Sequence, residues 1–425
     1  MSIKVMMAAV ALLRSPAGDR VSDGARLALA AVLVPAVCLS MVVMLLLWPV
    51  GPVTDGAAGG VRGDAVAGAQ VLSVSARACS AADLGAAPVT PGAADGSCVD
   101  ALVRVTSGRD AGREVTVVVP LEVYRAGIEP GAAVRVGAFD DGWVWVDVDR
   151  SAPLAALAAV FALLVVAVGR FRGLAALAGL ALAYLTVLEF VLPSLLLGGN
   201  PAAVALSAAV VIMTVVLYAA HGFSAKTSVA LLGTVVGLVV STVLAGWATR
   251  SLRLTGLSSE ESLSVSGLTG APDLSGIVLC GIVVAGLGVL NDVTVTQASA
   301  VWEVRASAPA LGRRALFASG MRVGRDHLNS TVYTIAVAYA GAALPTLLLV
   351  TVSGVPFADL LRSVEVAEEV ARTCVGAIGL VLAVPVTTAV AAAVAATTRP
   401  PVAQAPATST TGGPDPAGTA GAPAL

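Results

Sequence analysis

The chain has 425 residues, of which 57% are hydrophobic and 12% are charged, and its formal net charge is −2. A soluble domain carries about 25% charged residues, so this composition excludes an ordinary soluble protein. Because there is no basic excess, we expect no nucleic-acid partner. The composition instead predicts a protein whose principal partner is the lipid bilayer.

The first apolar run covers residues 27–48 and follows a segment with four basic residues. A signal-peptide core has about 7–15 apolar residues, so this longer run predicts an uncleaved transmembrane anchor. Residues 1–26 are then predicted to be a cytoplasmic N-terminus.

Residues 49–150 differ in character, because short β-type runs alternate with turns rich in Gly and Asp. In the run 143–149, valines point to one face while two tryptophans and Asp147 point to the other, which is the period of a half-buried strand. The pattern predicts a small all-β, barrel-like domain. Its predicted strands are 71–79, 100–106, 114–120, 132–139 and 143–149, with 56–69 and 81–97 as linker or loop.

Two of the five cysteines, Cys79 and Cys98, lie outside the apolar runs. Disulfides persist in oxidising compartments. If the β domain is extracytoplasmic, a disulfide between these two residues is therefore plausible.

Seven further apolar segments approach or exceed the roughly 20 residues that cross a bilayer core. They are 153–169, 174–197, 202–220, 229–248, 274–290, 328–350 and 375–396. With the anchor, they predict an α-helical multi-pass membrane protein of about eight transmembrane helices, with the β domain inserted between helices 1 and 2. Residues 151–397 would form the seven-helix membrane domain, with interfacial segments at 255–268 and 357–372. Residues 398–425 are a low-complexity sequence that predicts a disordered cytoplasmic tail.

The distribution of basic residues predicts the orientation of these helices in a bacterial plasma membrane. With both termini in the cytoplasm, thirteen of the 25 Lys and Arg residues lie in cytoplasmic segments and four lie in short outer loops. Positive charge accumulates on the cytoplasmic side of membrane proteins, whereas long domains are translocated regardless of charge. The β domain at 49–150 is therefore expected to be extracytoplasmic.

Polar residues follow the apolar segment 274–290 at helical spacing. Read as a helix, the sequence places Asp292, Thr296, Ser299 and Glu303 at i, i+4, i+7 and i+11, which is one face. Such a stripe would line a cavity or pack on other polar helices. The alternative is a helix that has left the bilayer and turns its polar side to water.

A second polar face begins the apolar segment 328–350. Asp326, Ser330 and Tyr333 fall at i, i+4 and i+7, with Asn329 beside them. The alternative role for Asp326 is to cap a helix N-terminus, where its charge would contribute about 0.5–1 kcal/mol.

Glu189 is the only acidic residue inside a predicted apolar span. A charged carboxylate at mid-depth costs about 2.5–3.5 kcal/mol on insertion scales. That cost favours a functional role, although Glu189 could also lie near the outer third of the bilayer.

Patterns for catalysis are missing from the sequence. No Walker A, GxGxxG or HExxH motif occurs, and no nucleophile, base and orienting group can be assembled. Asp292 and Asp326 also lack the Gly-x-Gly-Asp context of two-aspartate intramembrane proteases. We therefore expect no enzyme activity, no metal site and no cofactor.

Three long blocks resemble the YibE/F-like multi-pass membrane proteins over about residues 150–400. They are GLGVLNDVTVTQASAVWEVR, SGMRVGRDHLNSTVYTIAVAYAGAALP and EEVARTCVGAIGLVLAVPVTT. The resemblance implies an integral membrane protein for which a permease-like role has been supposed. The motif positions it implies are Asp292, Gly324, Arg325, Asp326, Pro345, Glu369, Gly376, Gly379 and Pro385.

These observations predict a transporter or permease-like protein for an unknown ion or small solute, with Asp292, Asp326 and Glu189 along its pathway. Carboxylates at membrane depth suit coupling to protons or other cations. The alternative is a non-transport scaffold or sensor whose β domain binds an envelope partner or ligand. A homo-oligomer or another membrane-protein partner is compatible with either function.

Overall fold

The computed structural model describes residues 21–49, 66–78, 97–139, 142–256, 274–354, 356–360 and 362–398. Helices make up most of these residues. In chain order they are α1 (Asp23–Leu46), α2 (Leu121–Arg125), α3 (Ser151–Thr186), α4 (Leu192–Leu196), α5 (Pro201–His221), α6 (Ala225–Ser251), α7 (Leu274–Ser307), α8 (Arg313–Ala342), α9 (Leu344–Ser353), α10 (Phe357–Leu360) and α11 (Val364–Ala395). A short π-helix, Val187–Val191, joins α3 to α4.

Six helical units in the described ranges are long and apolar enough to cross a membrane. They are α1, α5, α6, α7, α11 and the continuous unit Ser151–Leu196, with mean hydropathies from 2.2 to 2.7. The chain is therefore a mostly helical protein of membrane type, and its described ranges hold six candidate spans by length and composition. The predicted total of eight differs from this number in two places.

The first difference lies in the unit Ser151–Leu196, which contains the two predicted spans 153–169 and 174–197. Its backbone breaks at Arg170, where φ is 52°. Just beyond the break, a Cβ on Gly173 would collide with the carbonyl oxygen of Val165. The second helical arm therefore approaches the end of the first arm more closely than a residue with a side chain would allow. The 46-residue unit is thus two helical arms divided by a sharp kink.

The second difference lies in the predicted span 328–350, which is not among the six units. Helix α8 already begins at Arg313, because the residues ahead of the predicted span include the good helix formers Arg, Ala and Met. The link between α7 and α8 is therefore only residues 308–312. Helix α8 ends at Ala342, and α9 follows with Pro345 in its first turn.

The β domain is an antiparallel sheet of strands β1 (Val66–Ala78), β2 (Ser97–Val105), β3 (Glu114–Val119), β4 (Ala133–Phe139) and β5 (Gly142–Val148). The strand order is β3-β2-β1-β4-β5. The edge strands β3 and β5 contact each other, so the sheet curls on itself. Valines and alanines that alternate along β1 to β4 fill its core, with Trp143 and Trp145 of β5 packed against them.

Strand β1 shows where the predicted strand boundaries were wrong. It begins at Val66, inside the stretch 56–69 that was predicted to be linker or loop. Ala67 and Ala69 are poor strand formers, yet both are buried in the sheet core. Because Ala69 pairs with Val105 on one side and Val134 on the other, strand pairing outweighs local propensity.

Helices α6, α7 and α11 pack on one another, and α8 lies against α7 and α11. We call these four helices the inner bundle. Helix α5 packs on α6 and α7, while α1 and α3 pack on α5. Serine and asparagine side chains cap several of these helices. For example, Asn200 Oδ1 accepts from Ala203 N at 3.1 Å and Ser224 Oγ accepts from Thr227 N at 3.1 Å.

The inner bundle has two ends that can be told apart by contacts. At one end, the backbone N–H of Ser22 donates to Thr397 Oγ1 at 3.5 Å. At the other, Leu254, Val278 and Ala371 share one apolar cluster. We refer to them as the Ser22 end and the Leu254 end.

Candidate functional site

The predicted stripe on α7 forms one helical face, but this face is turned away from the inner bundle. Asp292, Thr296 and Glu303 are exposed, and Ser299 is half-buried. The opposite side of α7, which includes Thr294 and Val301, is buried against neighbouring helices.

The second predicted face, on α8, is also exposed. Asp326, Asn329 and Ser330 are exposed, and Tyr333 is 72% exposed. The side of α8 that packs inward instead carries Gly320, Gly324 and Ile335.

The two faces meet on one hairpin. Val293 of α7 and Leu328 of α8 belong to the same small apolar cluster, so the two helices cross there. Asp292 adjoins Val293, and Asp326 lies two residues before Leu328. The structure therefore places both carboxylates beside the same helix crossing, on the outward surface of the described chain.

Glu189 lies in a different part of the fold. It is an exposed residue of the π-helix, between α3 and α4, and its neighbours Phe190 and Val191 are buried. The principal packing partners of this π-helix are α3, α4 and α5. The ring of Phe190 stacks on Trp48 with centroids 5.6 Å apart. A joint pathway through Glu189, Asp292 and Asp326 therefore stays a prediction.

The inner bundle contains a set of buried polar side chains that sequence reasoning missed. The Oγ1 atoms of Thr234 on α6 and Thr294 on α7 lie 2.7 Å apart. We call this set the polar seam. Its members, each at most 1% exposed, are Thr234, Thr294, Gln297, Thr387 and Thr388.

Gln297 joins three helices of the inner bundle. Its Nε2 donates to the carbonyl oxygen of Gly320 on α8 at 2.7 Å and to Thr388 Oγ1 on α11 at 2.8 Å. Both N–H groups of the amide are thereby used. A buried amide without such partners would cost about 1–3 kcal/mol, so these contacts fix the positions of α8 and α11 against α7.

Glycines let the helices approach at the seam. A Cβ on Gly233 of α6 would collide with Thr387 Oγ1, and one on Gly324 of α8 would lie 2.9 Å from Gln297 Oε1. Small residues allow close packing between membrane helices, where lipid removes the usual hydrophobic drive. At these two positions the neighbouring helix leaves no room for a larger side chain, which explains why they are glycines.

The seam lies within the bundle rather than at its surface. Thr234 is in the third turn of α6, and Thr388 is two turns before the end of α11. Each hydroxyl also donates or can donate within its own helix, as Thr388 Oγ1 does to Val384 O at 2.7 Å. In the described chain, Ser241 Oγ lies two turns from Thr234 on α6, beside Gly379, and is a buried oxygen without a hydrogen-bond partner.

The chemistry available at the seam is hydrogen bonding by neutral hydroxyl and amide groups. Across the described ranges, no group of three or more His, Cys, Asp or Glu residues could hold a metal ion. The seam therefore offers neutral hydrogen-bonding groups and no charged ligand set.

A sequence signal for Gln297 does exist. Leu290, Val293, Gln297 and Val301 fall at i, i+3, i+7 and i+11, which is the buried face of α7. The polar stripe from Asp292 was predicted to be the functional face instead, because charged residues are more conspicuous than one amide among apolar residues.

The predicted disulfide involves one described and one undescribed cysteine. Cys98 lies in β2 and is disulfide-bonded. Cys79 lies outside the described residues. The pairing between the two therefore stays a prediction.

Residues 157–397 match the family described as YibE/F-like protein. No curated protein and no solved structure matches the chain.

Proposed function

Since the chain belongs to the YibE/F-like family and has six helical units apolar enough to span a bilayer, we propose that it is a transporter or permease. Its cargo would be a small solute or a cation such as the proton. The observation that carries this proposal is the polar seam, which lies among four packed helices of a highly apolar chain.

Polar side chains inside membrane helices are costly and commonly mark pathways. In this conformation the seam is closed, because Gly233 meets Thr387 and Gly324 meets Gln297 without space between them. Passage would require these helices to separate, as transporters do when they alternate access to the two sides. The hydrogen bonds of Gln297 to Gly320 and Thr388 would be broken and remade in such a cycle.

Asp292 and Asp326 fit this proposal as flanking charges. Both lie beside the α7–α8 crossing formed by Val293 and Leu328, whose cluster also includes Val384 of α11. Carboxylates in such a position would attract a cation toward the hairpin. We further propose eight spans, both termini in the cytoplasm, and an extracytoplasmic β domain in a bacterial plasma membrane.

The test uses purified full-length protein in liposomes that contain a pH-sensitive dye, with a potassium diffusion potential as the driving force. We expect Gln297→Leu, Asp292→Asn and Asp326→Asn to slow dye-reported proton flux relative to the wild type. Glu122→Gln, an exposed change in the β domain, is the control. The same vesicles are then tested with radioactive sodium and rubidium ions.

Equal fluxes for the wild type, the three variants and protein-free liposomes with every ion would contradict cation transport. If the same preparations also captured a specific envelope protein through the β domain, the scaffold function would replace the transport proposal.

A further inference from the structure

The outward surface of the α7–α8 hairpin is polar over several helical turns. We call it the hairpin face, and its members are Asp292, Thr296, Ser299 and Glu303 on α7 and Arg322, Asp326, Asn329 and Tyr333 on α8. All of them except the half-buried Ser299 are exposed. The α8 members recur at i, i+4, i+7 and i+11, on the side away from the inward-facing Gly320 and Gly324. A continuous polar surface therefore covers the outside of two helices of a highly apolar chain.

Part of the hairpin face lies at membrane depth. Leu29, near the start of the apolar run of α1, shares an apolar cluster with Val301 of α7. Asp292 precedes Val301 by nine residues, which is about 13 Å along the helix toward the Leu254 end. A carboxylate facing lipid tails at this depth is costly, and the short aspartate side chain cannot carry its charge back to the head groups. Asp292 therefore requires a polar group beside it.

The described part of the chain does not supply that group. None of the ion pairs in the described ranges involves Asp292, Glu303 or Arg322. Arg322 Nη2 donates to Ser319 Oγ of its own helix at 2.9 Å, and the Tyr333 side chain is 72% exposed. Polar faces of membrane helices are satisfied by other polar helices, so a second helical surface is the kind of cover that fits.

The distribution of charge indicates which helical surface fits. Gly320 of α8 faces Val301 of α7, because a Cβ on Gly320 would lie 2.7 Å from Val301 Cγ2. Arg322 and Glu303 each lie two residues further along their helix, so their depths differ by about one turn. Helical side chains tilt toward the N-terminus of their helix. Because α7 and α8 are antiparallel, this tilt brings the charged ends of Arg322 and Glu303 toward the same depth.

A second pair of complementary groups lies deeper. Gly324 faces Gln297, since a Cβ on Gly324 would lie 2.9 Å from Gln297 Oε1. Asn329 is five residues beyond Gly324 and Asp292 is five residues before Gln297, so the two side chains lie at one depth. Tyr333 begins one turn deeper and tilts toward that depth. The amide and phenol on α8 are therefore hydrogen-bond donors at the depth where α7 carries a carboxylate.

The acceptors lie on α7 and the matching donors lie on α8, so the hairpin face is complementary to itself. A twofold axis along the membrane normal leaves the depth of every residue unchanged and presents the same surface from both copies. We propose that the hairpin face binds a second copy of this chain, with α8 of each protomer packed on α7 of the other. Arg322 then meets Glu303, and Asn329 and Tyr333 meet Asp292, each contact occurring twice. Association does not depend on transport, because the polar seam lies on the opposite, buried side of α7.

Charge reversal tests this dimer directly. Full-length chains with two different affinity tags are co-expressed in pairs, extracted in a mild detergent and captured through the first tag. The recovery of the second tag measures association. The variants are Glu303→Arg and Arg322→Glu. The control is Arg250→Glu, which reverses the charge of an exposed arginine in the last turn of α6.

We expect each reversal to lower the recovery at least about tenfold when both copies carry it, because like charges then meet at both symmetric contacts. Co-expression of Glu303→Arg with Arg322→Glu should restore the recovery toward the wild-type value, because each contact again joins opposite charges. This mixture would not rescue a variant that fails to fold or a pairing within one chain. Arg250→Glu should retain the wild-type recovery.

Three results would overturn the proposal. One is a wild-type chain that recovers no second copy. Another is a mixture of the two reversals that recovers no more than either reversal alone. The third is a wild-type chain that purifies at a fixed ratio with a different membrane protein and without a second copy, which would show that another partner covers the hairpin face.

Discussion

The hydroxyl oxygens of Thr234 and Thr294 lie 2.7 Å apart, although the two residues are 60 positions apart along the chain. A hydrogen bond between membrane helices contributes about 0.6–2 kcal/mol. We therefore expect Thr234→Val and Thr294→Val each to lower the free energy of unfolding by about that amount. The double variant should lose less than the sum, because the first substitution already removes the shared bond.

Unfolding in mixed micelles at increasing dodecyl sulfate measures these differences. Thr242→Val is the matched control, because its hydroxyl donates to Leu238 O of its own helix at 2.7 Å. Strictly additive losses for the two seam variants would contradict a direct bond between Thr234 and Thr294.

Gly379 and Gly376 lie one turn apart on α11 but meet different surroundings. A Cβ on Gly379 would collide with Ser241 Oγ, whereas no described atom outside α11 lies within 4 Å of a Cβ on Gly376. We expect Gly379→Ala to cost about 1–3 kcal/mol of unfolding free energy by overpacking. Gly376→Ala should be neutral or stabilising by up to about 1 kcal/mol, because alanine favours the helix.

A rescue variant sharpens this test in the same unfolding assay. With Ser241→Ala, the closest remaining atoms to the new Cβ of Gly379→Ala are Ser241 Cβ and Gly237 O at 3.4 Å. The double variant Gly379→Ala with Ser241→Ala should therefore recover most of the unfolding free energy that Gly379→Ala alone loses. If Ser241→Ala restored nothing, a steric conflict at this contact would not explain the loss.

Arg305 links the α7–α8 hairpin to the end of α11. Its guanidinium donates to Leu311 O at 3.0 Å and to Thr398 O at 3.1 Å. A cation at a helix C-terminus contributes about 0.3–1 kcal/mol, or up to about 2 kcal/mol when partly buried. Arg305→Ala should therefore increase amide hydrogen exchange in residues 308–312 and 396–398.

The control for this measurement is Arg314→Ala, which removes an exposed arginine at the start of α8. Its exchange pattern should match that of the wild type in both segments. Unchanged exchange in Arg305→Ala would show that the two segments are held by other contacts.

The disulfide at Cys98 gives a prediction for the β domain. Peptide mapping without reduction should yield a peptide in which Cys98 is joined to Cys79. Cys98→Ser should lower the stability of the domain by about 2–4 kcal/mol, because the unfolded chain regains the freedom of a 20-residue loop. Limited proteolysis of the full-length protein measures this change, and Cys374→Ser should have no effect on the domain.

Much of the fold could be predicted from local sequence patterns. The alternation of 143–149 correctly predicted a strand, and the structure shows that its tryptophan side is the packed side, with Trp143 and Trp145 against the core. Runs of about 20 apolar residues correctly located helices, because bilayer thickness fixes that length. The start of β1 at Val66 was not predicted, since it depends on pairing with two distant strands.

The candidate site was less predictable, because periodicity identifies a helical face but not which neighbour covers it. The Asp292 stripe does form one face, yet the buried face of α7 is the one that carries Gln297. The partners of Gln297 are Gly320, 23 residues away, and Thr388, 91 residues away. Only the assembled bundle brings these groups together.

The close approach of α6 and α11 limits how the inner bundle can move. Gly233 fits against Thr387, and Gly379 fits against Ser241, so these two contacts, more than two turns apart on each helix, interlock. Packed contacts of this kind do not deform continuously, so sliding or rotation of one helix against the other would meet steric resistance at both. The same contacts leave a movement straight apart unobstructed, so α6 and α11 can open the seam by separating but not by sliding past each other.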